Sequence, residues 1–141
     1  MLKVVCAIII SEQKILITQN SSASDHPFLW EFAGGKIKPG ESAKDAILRE
    51  IREELEIEIE IQKKMKSVTF DYGFKQIELI PFLCSIKKGK IKLNEHAAFK
   101  WVLFDELNNF DFSGADRKLI QHAENVSVLK EYIGEQVYHS R

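Results

Sequence analysis

The sequence predicts one α+β domain in which helices flank a β-sheet. Three observations lead to this fold class. The length of 141 residues suits a single domain, residues 1–141. The composition, 45% apolar and 29% charged, is typical of a folded core with a solvated surface. Strand-like and helix-like segments follow in the order strands, helix, strands, helix, with hairpin-like rather than crossover connections.

The first half of the chain is predicted to contain three strands that are rich in valine, isoleucine and aromatic residues. They span residues 4–10, 14–19 and 28–32. A helix follows from Ser42 to about Leu55, and Asp45 completes an S-x-x-D capping pattern with Ser42. Residues 57–61 alternate between isoleucine and glutamate, as a half-exposed strand does.

The second half is predicted to contain three more strands and one helix. The strands span residues 68–72, 76–86 and 99–104. Gly73 lies between the first two of them and indicates a hairpin. Residues 116–133 carry apolar side chains at helical spacing, which predicts a single C-terminal helix.

The composition narrows the possible partners. The formal net charge of −1 speaks against a general basic surface for long nucleic acid. No apolar run reaches the roughly 18 residues that a membrane span needs, and residues 1–10 resemble a buried strand more than a signal peptide. Cys6 and Cys84 lie in separate apolar segments, which favours buried free thiols. We therefore expect a cytoplasmic protein with no membrane partner.

The predicted helix aims carboxylates at the core. On a helical wheel, Glu50 and Glu54 share the side of Ile47, and Glu53 flanks them. Like charges at this spacing repel, and an unpaired buried carboxylate costs on the order of several kcal/mol. Arg49 is expected on the solvated side, and one guanidinium cannot serve all three glutamates. A solvated glutamate-rich helix is the alternative, but a divalent cation, Mg²⁺ or Mn²⁺, fits better.

The helix and the loop before it carry one strong motif, Gly35-x5-Glu41-x7-Arg49-Glu50-Ile51-Arg52-Glu53-Glu54-Leu55-Glu56-Ile57. This segment resembles the Nudix box, the signature of the Nudix hydrolases. The departure is Glu56, where the family has a glycine that suits a left-handed turn. Glu56 is expected either to strain that turn or to lengthen the helix slightly, altering stability rather than metal binding.

The resemblance implies a Nudix fold, a mixed β-sheet sandwiched between α-helices with a loop-helix-loop catalytic element. It also implies hydrolysis of a nucleoside diphosphate linked to a further group, with divalent cations. The metal ligands implied by matched positions are Gly34, through its carbonyl, and Glu50, Glu53 and Glu54. Arg49 would orient the glutamates, Glu41 would support the loop or the metal network, and Lys36 would lie near the phosphates.

The resemblance extends beyond the box. The run from Phe28 to Lys36 is similar to the entry to the box in MutT-type enzymes, and closer still to that of CTP and modified-pyrimidine pyrophosphohydrolases. Asn94-Glu95-His96, followed by Trp101, resembles a stretch in which the glutamate is a metal ligand or general base. Ser113-Gly114-Ala115-Asp116 resembles a segment in which an Asn or Asp meets the base.

Several of these residues have plainer interpretations. Glu95 could be a surface charge, Phe32 could be core only, and Asp116 could cap the last helix through the pattern Ser113-x-x-Asp116. If Asp116 reads the base, it suits cytosine and 8-oxoguanine about equally. The histidines, His26, His96, His122 and His139, show no recognisable cluster and favour structural roles.

The expected activity is Mg²⁺-dependent hydrolysis of nucleoside triphosphates to NMP and pyrophosphate, with water attacking the β-phosphorus. Substrates would be oxidised or modified nucleotides such as 8-oxo-dGTP, or CTP and dCTP analogues. The segment Thr18-Gln19-Asn20 lacks the arginines that MutT-type enzymes often carry there, which favours a pyrimidine or mixed preference.

Two alternatives stay open at this point. One is a Nudix hydrolase of ADP-ribose, dinucleoside polyphosphates or other nucleoside diphosphate derivatives. The other is a non-catalytic sensor, although such domains usually lose the box glutamates that this chain keeps. The expected partner is a small nucleotide, and the chain is expected to be a monomer or homodimer.

Overall fold

A mixed β-sheet with helices on both faces forms the centre of the fold. The computed structural model describes residues 1–139, so the last two residues of the predicted domain 1–141 and the side chain of His139 lie outside the described part. The elements in chain order are β1 (Leu2–Ser11), β2 (Lys14–Gln19), β3 (Trp30–Glu31), β4 (Gly34–Lys36), α1 (Ala43–Leu55), β5 (Glu58–Lys64), β6 (Val68–Asp71), β7 (Gln76–Lys88), β8 (Ala98–Val102), a 3₁₀ helix (Phe104–Asn109), α2 (Gly114–Gln121) and α3 (Ala123–His139). Within this range no helix is both long and apolar enough to cross a bilayer.

The sheet is built around β1, which pairs along both of its edges. β1 runs parallel to β7 on one side and antiparallel to β4 and β2 on the other. The outer strands β5 and β6 pair antiparallel with β7, while β3 and β8 pair antiparallel with β2. The predicted hairpins are present at β1–β2 and β6–β7. The parallel pairing of β1 with β7 makes the sheet mixed, and hairpin-like connections alone did not predict it.

Alternate side chains of β1 belong to two separate core layers. Val5, Ala7 and Ile9 are buried in a layer with the apolar side of α1. Their neighbours on the other face of β1 are buried in a layer with α2 and α3. This alternation follows from the two-residue period of a strand. Cys6 and Cys84 are buried free thiols, as the sequence predicts.

The ends of α1 show how the sequence positions this helix. At its start, the Ser42 hydroxyl accepts a hydrogen bond from the Asp45 amide at 3.1 Å, so the predicted cap is confirmed. At its end, Glu56 adopts a left-handed conformation with φ 55° and ψ 34°, and its amide donates to the Arg52 carbonyl. Of the two expected outcomes for Glu56, the strained turn is therefore the observed one. A left-handed residue other than glycine costs roughly 1–2 kcal/mol.

The predicted single helix over residues 116–133 is wrong. The chain breaks at His122, whose φ of −67° and ψ of 125° are extended, and α3 starts at the next residue. The buried Asn125 side chain donates to the carbonyls of Leu119 and Lys66 and accepts from the Lys66 amide. It thereby ties both helices to the segment before β6. The apolar spacing on both sides of the break is helical, which is why the pattern did not reveal it.

Candidate active site

One guanidinium connects the loop before α1 with two glutamates of the helix. Arg49 makes a bidentate contact with Glu41 at 2.7 and 2.9 Å, and further contacts with Glu50 at 2.9 Å and Glu53 at 3.2 Å. Its remaining donor bonds the Lys36 carbonyl at 3.1 Å. The arginine side chain is only 20% exposed, so the prediction that it faces solvent is wrong. The wheel fixes the direction of the Cβ atom, whereas a long side chain can bend back along the helix surface.

The positive charge of Arg49 and the carboxylates it contacts shift each other's pKa values. Its hydrogen bonds, with one from the Lys38 amide, lower the pKa of Glu41 to about 2. The carboxylates in turn raise the pKa of Arg49 above its usual value. One guanidinium does serve three carboxylates here, but the third is Glu41 from the loop. Glu54 is outside this network.

Glu54 is a buried acid without a compensating charge close by. Its side chain points into the protein and the residue is 3% exposed, as the wheel predicts. Its Oε2 atom has no hydrogen-bond partner, and its Oε1 atom lies 3.8 Å from Nε2 of His96. Burial raises its pKa to about 10, and the charges of Glu31, Glu50 and Glu95 contribute. A carboxylate held this way needs a proton or a cation.

Three acids from distant parts of the chain surround one cleft. Glu31 from β3, Glu54 from α1 and Glu95 from the segment before β8 line it, together with Gly34 and His96. Glu95 is exposed and lines the same cleft as Glu54, and its role as metal ligand or general base stays a prediction. Sequence reasoning missed Glu31 and His96 as site residues. The available signal for Glu31 was a single charged residue within the otherwise apolar run from Phe28 to Phe32.

Glycines of β4 let the sheet approach α1 closely. A Cβ atom on Gly35 would lie 2.5 Å from the carboxylate carbon of Glu50. A Cβ atom on Gly34 would lie 1.9 Å from the Val5 carbonyl oxygen. A side chain at position 35 would displace the Glu50 carboxylate, which lies between Gly35 and Arg49.

The donor set suits a hard divalent cation. Within residues 1–139 no three acidic, histidine or cysteine side chains converge on a single point, since Arg49 engages Glu50 and Glu53 while Glu54 turns towards His96. The available donors are carboxylate oxygens and the Gly34 backbone, which Mg²⁺ and Mn²⁺ prefer. The Oε2 atom of Glu54, which has no hydrogen-bond partner, is an oxygen that such an ion would bind on displacing the proton. The residues present therefore fit a divalent metal.

A second cavity adjoins the cleft and contains the predicted substrate residues. Phe32, Lys36 and Asp116 line it, and it shares Glu31 and Gly34 with the cleft. The ring of Phe32 is buried and lies 5.4 Å from that of Phe112, so this residue is both core and cavity wall.

Asp116 faces this cavity and does not cap α2. Its Oδ2 atom accepts a hydrogen bond from the Phe32 amide at 2.9 Å. Ser113 is the N-cap residue of α2, but its side chain makes no capping bond, so the capping interpretation is wrong. Burial, together with the charge of Glu31, raises the pKa of Asp116 well above its usual range. An acid held neutral in a cavity can donate as well as accept hydrogen bonds.

Known proteins are similar to this chain in sequence and in fold. A model of the NUDIX domain matches residues 1–123. The chain is 36% identical over 121 residues to CTP pyrophosphohydrolase of Escherichia coli (strain K12), covering 86% of this chain and 90% of that one. It is 32% identical over 127 residues to 8-oxo-dGTP diphosphatase of Buchnera aphidicola subsp. Schizaphis graminum, covering 90% and 96%. The solution structure of the E. coli ORF135 protein superposes with a TM-score of 0.74 at 36% identity and covers 86% of each chain.

Proposed function

This chain belongs to the NUDIX family, and from that membership and the geometry of its site we propose that it is a divalent-metal-dependent nucleoside triphosphate pyrophosphohydrolase. One observation supports this most directly. The acidic cleft and the cavity with Phe32 and Asp116 meet at Glu31 and Gly34. A nucleotide can therefore lie with its base in the cavity and its phosphates at the carboxylates.

The residues that would hold the metal are Gly34, Glu50, Glu53, Glu54 and Glu95. A divalent ion bound there would neutralise phosphate charge and lower the pKa of a bound water. Arg49 keeps Glu50 and Glu53 in place through its contacts at 2.9 and 3.2 Å.

The remaining residues bind the phosphates and move the proton. Lys36, whose carbonyl accepts a hydrogen bond from Arg49, lines the cavity, and we assign its ammonium group to the phosphates. As the alternative to a metal-ligand role, Glu95, which lines the cleft with Glu54, would accept the proton of the water that attacks the β-phosphorus. The products are NMP and pyrophosphate.

The base side of the site favours a nucleotide with a polar Watson–Crick edge. Asp116 accepts hydrogen bonds from amino or N–H groups, or donates one when it is protonated. Phe32 offers an apolar wall. The absence of arginine in Thr18-Gln19-Asn20 favours CTP or dCTP analogues, or a mixed preference, over strict selectivity for 8-oxo-dGTP. The cytoplasmic location and the monomeric or homodimeric state stay predictions.

An initial-rate panel tests this function. It covers CTP, dCTP, 5-methyl-dCTP, dGTP, 8-oxo-dGTP, ADP-ribose and a diadenosine polyphosphate, each with Mg²⁺ and with EDTA, and separates pyrophosphate from orthophosphate. We expect a triphosphate to give NMP and pyrophosphate only with Mg²⁺. Turnover confined to ADP-ribose or dinucleoside polyphosphates would move the assignment to those substrates, and no turnover at all would favour a sensor.

A single variant tests the metal assignment. Glu53→Gln should lower turnover by orders of magnitude and leave the fold intact, because the carboxylate is half exposed and its charge serves the site. Glu60→Gln, an exposed glutamate of β5, is the matched control and should keep wild-type turnover. If Glu53→Gln turns over like the wild type, the ligand assignment is wrong.

A further inference from the structure

We propose that Asn94 is a positioning residue that fixes the general-base segment, residues 92–97, onto the end of α1 and thereby sets the place of Glu95 in the cleft. The inference rests on the proposed function, because it concerns a residue of the same site. It assigns a role to an exposed side chain that hydrogen-bonds the last turn of α1.

The general-base segment donates hydrogen bonds to the last carbonyls of α1. The last carbonyls of a helix have no partners within the helix. Asn94 donates twice, from its side-chain amide to the Glu53 carbonyl at 2.7 Å and from its backbone amide to the Glu54 carbonyl at 3.1 Å. The Lys92 amide donates to the Leu55 carbonyl at 3.0 Å. Two of these three bonds come from Asn94, and they end on the carbonyls of Glu53 and Glu54, two of the proposed metal ligands.

The other end of the general-base segment is fixed to the sheet. The Ala97 amide donates to the Gln19 carbonyl at 2.9 Å, and β8 begins at the next residue. Glu95 and His96 thus form a two-residue span between an anchor on α1 and an anchor on β2. A span this short has few conformations when both ends are held. The His96 side chain, 4% exposed, lies in the cleft 3.9 Å from Glu31 and 3.8 Å from Glu54.

The chemistry of asparagine explains why this side chain suits the position. Its amide can donate to the Glu53 carbonyl while carrying no charge next to the glutamates. An aspartate would place a carboxylate oxygen against that carbonyl oxygen. Because the bond is exposed, water can replace it when it is lost, so the fold loses little. The loss of activity is larger, because Glu95 shifts relative to Glu54 and catalysis is sensitive to displacements of about 1 Å.

The test is a double-mutant cycle with a stability control. Asn94→Ala, Glu95→Gln and the double variant are compared for kcat, KM and Mn²⁺ affinity, the last by electron paramagnetic resonance without substrate. Asn94→Ala should lower kcat about tenfold with KM within about twofold. It should have no further effect in the Glu95→Gln background, because it acts through that residue. Asn108→Ala, an exposed asparagine of the 3₁₀ helix, is the matched control and should match the wild type.

Glu56→Gly separates positioning from stability. Glycine relieves the left-handed strain at the end of α1, so it should more than offset any small Tm loss of Asn94→Ala. We expect kcat to stay low in this combined variant. Recovery of kcat together with Tm, or full additivity of Asn94→Ala with Glu95→Gln, overturns the proposal.

The Mn²⁺ measurement keeps the proposal testable if no nucleotide is hydrolysed. A Glu95→Gln variant with wild-type turnover and Mn²⁺ affinity overturns the inference, because Asn94 would then have nothing to position. The inference is also overturned if Glu95→Gln lowers the Mn²⁺ affinity while Asn94→Ala leaves the Mn²⁺ affinity unchanged. Failure of the proposed function appears separately, as wild-type protein that turns over no substrate.

Discussion

The buried acid of α1 should make the metal-free protein less stable as the pH rises, and Glu54→Gln should remove that dependence. In the folded chain burial raises the pKa of Glu54 from its ordinary 4.5 to about 10. The folded state therefore binds a proton that the unfolded state releases between these values. The sign follows from this difference: stability is highest below the unfolded pKa and falls as the pH rises towards the folded one.

The magnitude follows from the width of that pH window. Each pH unit above the unfolded pKa costs about 1.4 kcal/mol of unfolding free energy. At pH 7 the wild type has thus lost about 3 kcal/mol relative to an unshifted acid. Glutamine is neutral at every pH, so Glu54→Gln has no such loss. A buried amide without a full set of partners adds a constant cost of about 1–3 kcal/mol, and the slope is therefore the decisive quantity.

Urea unfolding in EDTA from pH 5.5 to 8.5 measures this slope. The unfolding free energy of Glu54→Gln minus that of the wild type should rise by about 1.4 kcal/mol per pH unit. Glu60→Gln, whose side chain is exposed, should show no such rise. A Glu54→Gln difference that stays flat across the three pH units would refute the reasoning. Mg²⁺ should then stabilise the wild type more than the variant, because a bound cation favours the charged carboxylate.

Two further substitutions probe the two parts of the site. Gly35→Ala should lower kcat more than about tenfold with a small loss of Tm. The reason is that the added Cβ would lie 2.5 Å from the carboxylate carbon of Glu50 and would displace that carboxylate. Gly134→Ala, where a Cβ meets open space, is the control. Asp116→Ala should raise KM selectively among bases in the same substrate panel. A uniform rise across bases, or a loss of Tm without a change in KM ratios, would assign Asp116 to the fold alone, through its bond to the Phe32 amide.

Local patterns predicted most of the strands, the cap of α1 and the inward direction of Glu54, but β4 was not predicted and the strand predicted over residues 28–32 is confined to Trp30–Glu31. Lys14–Gln19 has the predicted bounds of β2, and Ser42 caps α1 as predicted. These features depend on neighbours within a few residues, so periodicity and capping rules suffice. The break at His122 depends on the long-range bonds of Asn125 to Lys66, which a helical apolar spacing cannot reveal.

The site was predictable where one segment carries it and not where segments meet. The box glutamates share one helix, so their spacing indicated a cation. The Arg49 contact with Glu41 could be inferred only in part, because it joins a loop to the helix through a long flexible side chain. His96 was assigned a structural role, since nothing in the sequence places it between Glu31 and Glu54. Contacts across the sheet require the topology, which the resemblance implied but local spacing did not.

The two core layers on either side of β1 divide the work of the site. Glu50, Glu53 and Glu54 belong to α1 on one face of the sheet, whereas Asp116 belongs to α2 on the other face, and the cleft and the cavity meet at Glu31 and Gly34. Under the proposed function, substitutions in the α2 layer and around the cavity would change the base that is accepted and leave the glutamates of α1 in place. For protein engineering, α2 and the residues around the cavity are the positions to vary in a library of altered specificities. The sequences of α1 and β4, which carry most of the proposed metal ligands, would be kept constant.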